Sequence, residues 1–171
     1  MGLRPAHTIR EPKKKPWTRF SKNPTKSYIK TMPHSDLHQF RMGVKKDDYN
    51  VVVRLVCDKD IVLRDNAIES ARQSANKHLE KNINGNYYFV VKPYPHHIIR
   101  ENKMIAGAGA DRLQKGMRHS FGRPTDRAAI IDKNKVVFEI KTFKENVNVV
   151  KTALERAKRK LSGKYKIVVA A

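Results

Sequence analysis

The chain has 171 residues, with 37 Lys and Arg against 16 Asp and Glu, and carries a formal charge of +21. A surplus of that size predicts a polyanionic partner, while a hydrophobic content of 39% is too high for a wholly disordered polycation. No apolar run approaches the roughly 18 residues of a membrane-spanning helix, and the opening MGLRPAHTIREPKKKPW lacks the apolar stretch of a secretory signal, so a cytoplasmic protein that does not engage a membrane is expected.

The charge is concentrated. Residues 1–46 hold 12 basic and 2 acidic side chains, 47–92 hold 7 of each, 93–127 hold 7 and 3, and 128–171 hold 11 and 4. A neutral block between lopsided flanks reads as body between contact surfaces. The first stretch also contains Pro5, Pro12, Pro16, Pro24 and Pro33, which oppose both helix and sheet, so 1–46 is expected to be an extended basic arm. In it Arg4, Arg10, Lys13, Lys14, Lys15, Arg19, Lys22 and Lys26 are interleaved with Trp17, Phe20 and Tyr28. Phosphate neutralisation beside flat rings that stack on unpaired bases is the chemistry of RNA binding.

From 47 to 171 the pattern predicts a single α+β domain. VVVRLVC at 51–57 is β-branched and puts Val51, Val53, Leu55 and Cys57 on one face of a strand. Cys57, the only cysteine, is expected to be a buried reduced thiol there, not a nucleophile. From Asp65, a candidate N-cap, Ile68, Ala71, Ala75 and Leu79 recur at helical spacing as far as Asn84-Gly85. NYYFVVK at 86–92 predicts a strand ending at Pro93.

The order then repeats. VVFEIKT at 136–142 places Val136, Phe138 and Ile140 on one face of a strand, and AAII at 128–131 is positioned to pair with it through the turn DKNK. Val149 or Val150, Ala153, Leu154, Ala157 and Leu161 follow at helical spacing, after Asn146 or Asn148 as N-cap and before Gly163. The final KYKIVVAA predicts a strand. Two strand-helix-strand units imply a sandwich of helices on a mixed or antiparallel sheet.

Between the units lies a basic loop, 93–127, far longer than an ordinary connection. Arg100, Lys103, Arg112, Lys115, Arg118, Arg123 and Arg127 line it, so it reads as a probe for phosphates. Enzyme readings fail here. Gly107-Ala108-Gly109-Ala110-Asp111-Arg112 lacks the third glycine and the strand-to-helix setting of a dinucleotide fingerprint. His96-His97 and His34 with His38 lack the further Cys or carboxylate ligands of a metal site, and Glu101, Asp111 and Asp126 are too dispersed for a two-metal nuclease. No catalytic residue, metal or cofactor is expected.

IIRENKM at 98–104, AGADRLQKGMR at 108–118 and FGRP at 121–124 resemble the loop signature of the universal large-subunit ribosomal protein sixteen family, called ten-e in archaea and eukaryotes. MGLRPAHTIR and AIESARQSANKHLEKN are similar to the same branch, so the resemblance runs over essentially the whole chain. It implies an archaeal member, since the sequence ends after its last predicted strand without the extension of eukaryotic members. It also implies an α/β-hammerhead-like fold and a structural role in the large ribosomal subunit. The partners implied are ribosomal RNA, tRNA near the aminoacyl and peptidyl sites, and neighbouring ribosomal proteins. By the same resemblance Lys103, Arg112, Lys115, Arg118 and Arg123 lie along a loop directed at the peptidyl transferase centre, where RNA performs the chemistry. Composition alone also admits a non-ribosomal RNA- or DNA-binding module.

Overall fold

The computed structural model describes residues 4–11, 29, 31–101 and 122–170. Among these residues eight strands and two α-helices follow in the order β1 (Arg41–Gly43), β2 (Val51–Cys57), β3 (Ile61–Arg64), α1 (Asp65–Ile83), β4 (Tyr87–Val91), β5 (His97–Glu101), β6 (Arg123–Ile131), β7 (Val136–Thr142), α2 (Val147–Lys158) and β8 (Tyr165–Ala170). The strand-helix-strand units are present, and the fold is α+β. The sheet is not single, however: there is a five-stranded sheet, β1-β4-β7-β2-β8, and a three-stranded one, β3-β6-β5. Every pairing in both is antiparallel, so the mixed alternative is removed.

The strand order explains how the repeat builds one body. β4 and β2 both pair antiparallel to β7, and β7 and β8 both pair antiparallel to β2. Within each unit the two strands therefore run parallel, with a strand of the other unit inserted between them. This is a split β-α-β arrangement used twice, in which neither unit can complete its sheet alone. α1 and α2 pack against each other and against the five-stranded sheet.

Alternation sorts the side chains. On β2 and β4 buried residues strictly alternate with half-exposed ones, and the register aligns Leu55 with Phe138, and Val53 and Phe89 with Ile140. These side chains meet Ile68, Ala71, Ala75 and Leu79 of α1 and Val150, Ala153, Leu154 and Ala157 of α2 in the main core. Phe89 and Phe138 meet edge to face with centroids 5.3 Å apart. Each fully buried Phe or Leu contributes about 1.5–3 kcal/mol through apolar burial.

On β7 four consecutive residues, Val137 to Ile140, are buried. This strand lies in the middle of the sheet. Phe138 and Ile140 face the helices, while Glu139 shares a groove on the opposite side with Ile130 and Ile131 of β6.

The run 128–131 does not pair with β7, as the DKNK turn led us to expect. It pairs with β3 instead, Ile61 opposite Ile131 and Leu63 opposite Ala129. The physical reason lies in the connection. Asn134 adopts φ 65° and donates its N–H to the Cys57 carbonyl at 2.8 Å, and the Cys57 N–H donates to the Lys135 carbonyl at 3.0 Å. The turn is thus fastened to the end of β2 and hands the chain from one sheet to the other.

Three further differences concern boundaries. β1, within the stretch assigned by composition to the arm, adds an edge strand next to β4. The ends of the 93–127 segment are also strands, with His97 opposite Ala128 and Glu101 opposite Arg123. Asp65 is the first helical residue of α1 and Arg64 the N-cap. The buried Asp65 carboxylate accepts the Asn66 and Asp36 N–H groups at 2.9 and 3.0 Å, which fixes the incoming segment to the helix start.

Candidate nucleic-acid interface

The described part of the basic arm is tied to the three-stranded sheet. Arg4 Nε donates to Glu101 Oε1 at 2.8 Å, and Glu101 stands opposite Arg123 across the β5–β6 ladder. Arg10 contributes its carbonyl, which accepts the Val62 N–H of β3 at 2.9 Å. The start of the arm therefore runs between the end of β5 and the outer edge of β3, with a single 3₁₀ turn at Ala6–Thr8 on the way. Further along, Arg127 Nε donates to the Pro33 carbonyl at 2.7 Å, and Ile29 and Leu37 are buried.

Of the residues selected from sequence, Arg4, Arg10 and Arg123 are thus brought to one sheet. Arg4 and Arg123 both neighbour Glu101, at the base of the long excursion. Lys13, Lys14, Lys15, Trp17, Arg19, Lys22 and Lys26 of the arm, and Lys103, Arg112, Lys115 and Arg118 of the loop, lie outside the described residues.

A second basic surface was not singled out from the sequence: the face of the five-stranded sheet turned away from the helices. Its central charge is Glu139, held by Arg54 Nε at 3.0 Å and Lys92 Nζ at 3.1 Å. Burial alone would raise the Glu139 pKa, but the two cationic bonds outweigh it and hold the carboxyl below the usual glutamate range. At the sheet edge Lys166 pairs with Asp58 at 2.9 Å and lowers its pKa by hydrogen bond and charge. The signal in the sequence was the polar phase of the strand alternation, Arg54 within VVVRLVC and Glu139 and Lys141 within VVFEIKT.

Other candidates resolve into local chemistry. Cys57 is buried, its thiol donates to the Lys59 carbonyl at 2.9 Å, and burial raises its pKa, all contrary to what a nucleophile needs. His34 Nε2 lies 2.9 Å from Asp36 Oδ1, and the His96 ring packs on Tyr94. Among the described residues no group of three or more His, Cys, Asp or Glu is placed to hold a metal ion. None of the described helices is long and apolar enough to cross a membrane.

Comparison with known proteins gives one consistent result. The family described as ribosomal protein L16p/L10e matches residues 12–168. Among individual relatives, the large ribosomal subunit protein uL16 of Thermofilum pendens is 41% identical over 170 residues, covering 99% of this chain and 98% of its own. The uL16 proteins of Methanococcus aeolicus and Halorubrum lacusprofundi are 41% and 39% identical, each covering 99% of this chain and 95% of its own. These relatives are archaeal, and the family is one of structural ribosomal proteins, not enzymes. With similarity extending over nearly its full length, this chain belongs to the ribosomal protein L16p/L10e family.

Proposed function

We propose that this protein is a structural component of the large ribosomal subunit in the cytoplasm, that it binds ribosomal RNA, and that its loop projects toward the tRNA sites and the peptidyl transferase centre. Family membership supports the ribosomal role. The observation that carries the RNA reading is the meeting of Arg4 and Arg123 at Glu101, where the basic arm and the basic loop leave the same small sheet. Two polycationic segments sharing one base can engage one RNA from neighbouring directions. In this reading the arm residues Lys13 to Lys26 with Trp17 contact ribosomal RNA, and Lys103, Arg112, Lys115, Arg118 and Arg123 approach tRNA. The domain organisation proposed is a basic arm, 1–46, on one α+β body, 47–171, interrupted by the loop, with β1 of the arm completing the sheet. The two-sheet body supports the hammerhead description of the fold.

Cell lysate sedimented through a gradient tests the role. Nearly all of the protein should travel with large subunits and be released by high salt. Recovery free of ribosomes, or on other nucleic acid, would favour a non-ribosomal RNA- or DNA-binding module instead.

A further inference from the structure

The helices cover one face of the five-stranded sheet; on the other, Ile130 and Ile131 of β6 border Glu139 and Val137 is fully buried, while the positions toward β1, β4 and β8 stay half-exposed or exposed among the described residues. Antiparallel register places Arg41, Val90, Glu139, Arg54 and Val168 in one row across all five strands, and Tyr88, Lys141, Val52 and Ala170 in the next. Val168 is 47% exposed, and the Arg54 and Lys92 side chains are 42% and 45% exposed despite their bonds to Glu139. The sheet spans roughly 19 Å between its outer strands at the usual interstrand spacing.

The charge on this face is one-sided. Arg41, Arg54, Lys92, Lys141 and Lys166 point outward, and Glu139 is the only acid among the outward positions of these strands. The helix surface on the opposite side is also basic, with Lys77, Lys81, Lys151, Arg156 and Lys158 exposed, but it carries two exposed acids, Glu80 and Glu155, among them. Half-exposed Val52, Val90 and the Tyr88 ring lie between the sheet cations. Near β6 the face continues into a groove of about 460 Å³ with Pro93, Ile130 and Val136 in its wall and Lys135 at its rim.

We propose that this open sheet face is a second RNA-docking surface, which receives an unpaired or looped segment of ribosomal RNA with its phosphates on Arg41, Arg54, Lys92 and Lys141 and a base against Tyr88. A flat face that alternates cations with apolar side chains and one ring suits splayed nucleotides, whose bases and phosphates are both exposed. A protein partner of matching area would leave several cations to be desolvated without counter-charge, a cost that phosphates remove. The inference rests on the RNA-binding role proposed above and names the part of the body that serves it.

Binding of the full-length protein to transcribed large-subunit ribosomal RNA, measured over a range of salt, tests it with two variants of equal charge change. Arg41→Glu with Lys141→Glu alters the sheet face, and Lys77→Glu with Lys151→Glu alters the helix face. The sheet variant should lose about tenfold or more in affinity, and its log-log salt slope should fall by about 1.4–1.8, the value for two phosphates neutralised. The helix variant should lose much less. Equal losses in the two variants, or unchanged binding by the sheet variant as a protein partner on this face would give, overturns the proposal. If the sheet variant does not fold by circular dichroism, Arg41→Gln with Lys141→Gln puts the same question through the salt slope. Failure of the wild-type protein to bind the RNA at all would instead bring down the RNA-binding role itself.

Discussion

Glu139 shows how much one side chain controls on the basic sheet face. Its residue is only 8% exposed, so the carboxylate depends on Arg54 and Lys92 for the hydrogen bonds that water would otherwise supply. Glu139→Gln should destabilise the fold by about 1–2 kcal/mol at neutral pH, modest because both cations are substantially exposed and screened. The sign of its pH dependence follows from the lowered folded pKa. A depressed carboxyl contributes stability above its unfolded pKa of about 4.3 and loses that contribution as pH falls through the folded value. Urea unfolding of both proteins should therefore show a difference at pH 7 that shrinks below pH 4, and a difference constant with pH would contradict the ion-pair account. Gly43 makes a purely steric prediction. Its φ is +79°, and a Cβ there would lie 2.2 Å from the Tyr87 carbonyl oxygen, which accepts the Val44 N–H. Gly43→Ala should lower stability by about 1–3 kcal/mol, read by thermal melting, because the backbone and not a flexible side chain must shift.

At the scale of elements, what could be read from the sequence depended on length and periodicity. β2 and β7 have the bounds their alternation predicted, and α1 and α2 follow their apolar spacing, because seven to nineteen residues repeat a pattern often enough to distinguish it. β1, β3 and β5 were missed for the opposite reason. RMG, IVLR and HIIRE have only three to five residues, and β5 also follows Pro93 and Pro95. The pairing of 128–131 was misread since a turn sequence says where a chain bends, not which strand receives it; here β3, unseen, was the better partner for Ile131 and Ala129. The basic sheet face was hidden in the same way, since its residues come from five strands whose order no local pattern specifies. The proposed arm rests on charge and proline, and it makes its own prediction. Replacing Lys13, Lys14 and Lys15 together by Gln should lower the salt slope of ribosomal RNA binding by about 0.7–0.9 for each phosphate these lysines neutralise. The melting temperature should not change, and an unchanged slope would show that these lysines do not touch phosphates.

For the molecule as a whole, the proposed function gives the body and the loop separable tasks. Among the described residues the helices, the five-stranded sheet and β3 with Ile131 and Ala129 bury their apolar faces on one another. The base of the loop is also closed independently, by the Glu101–Arg123 register and by Arg4 on Glu101. Deleting 104–117 shortens a connection whose ends are already held, so loop-closure entropy gives no penalty. Thermal stability and incorporation into large subunits should therefore stay near wild type, with most of the phosphate binding kept by arm and body. On the proposed function translation should suffer instead, since a basic probe placed beside catalytic RNA would act through position more than through total charge. Arg112→Ala with Arg118→Ala should reproduce the defect more mildly, since a charge-assisted bond to phosphate supplies roughly 1.5–3 kcal/mol and two such bonds are removed. Reconstituted subunits carrying either change can be compared with wild type for tRNA binding and peptide-bond formation. Reduced activity at normal subunit yield is the expected result, whereas full activity with normal maturation would leave the loop without the role its arginines suggest.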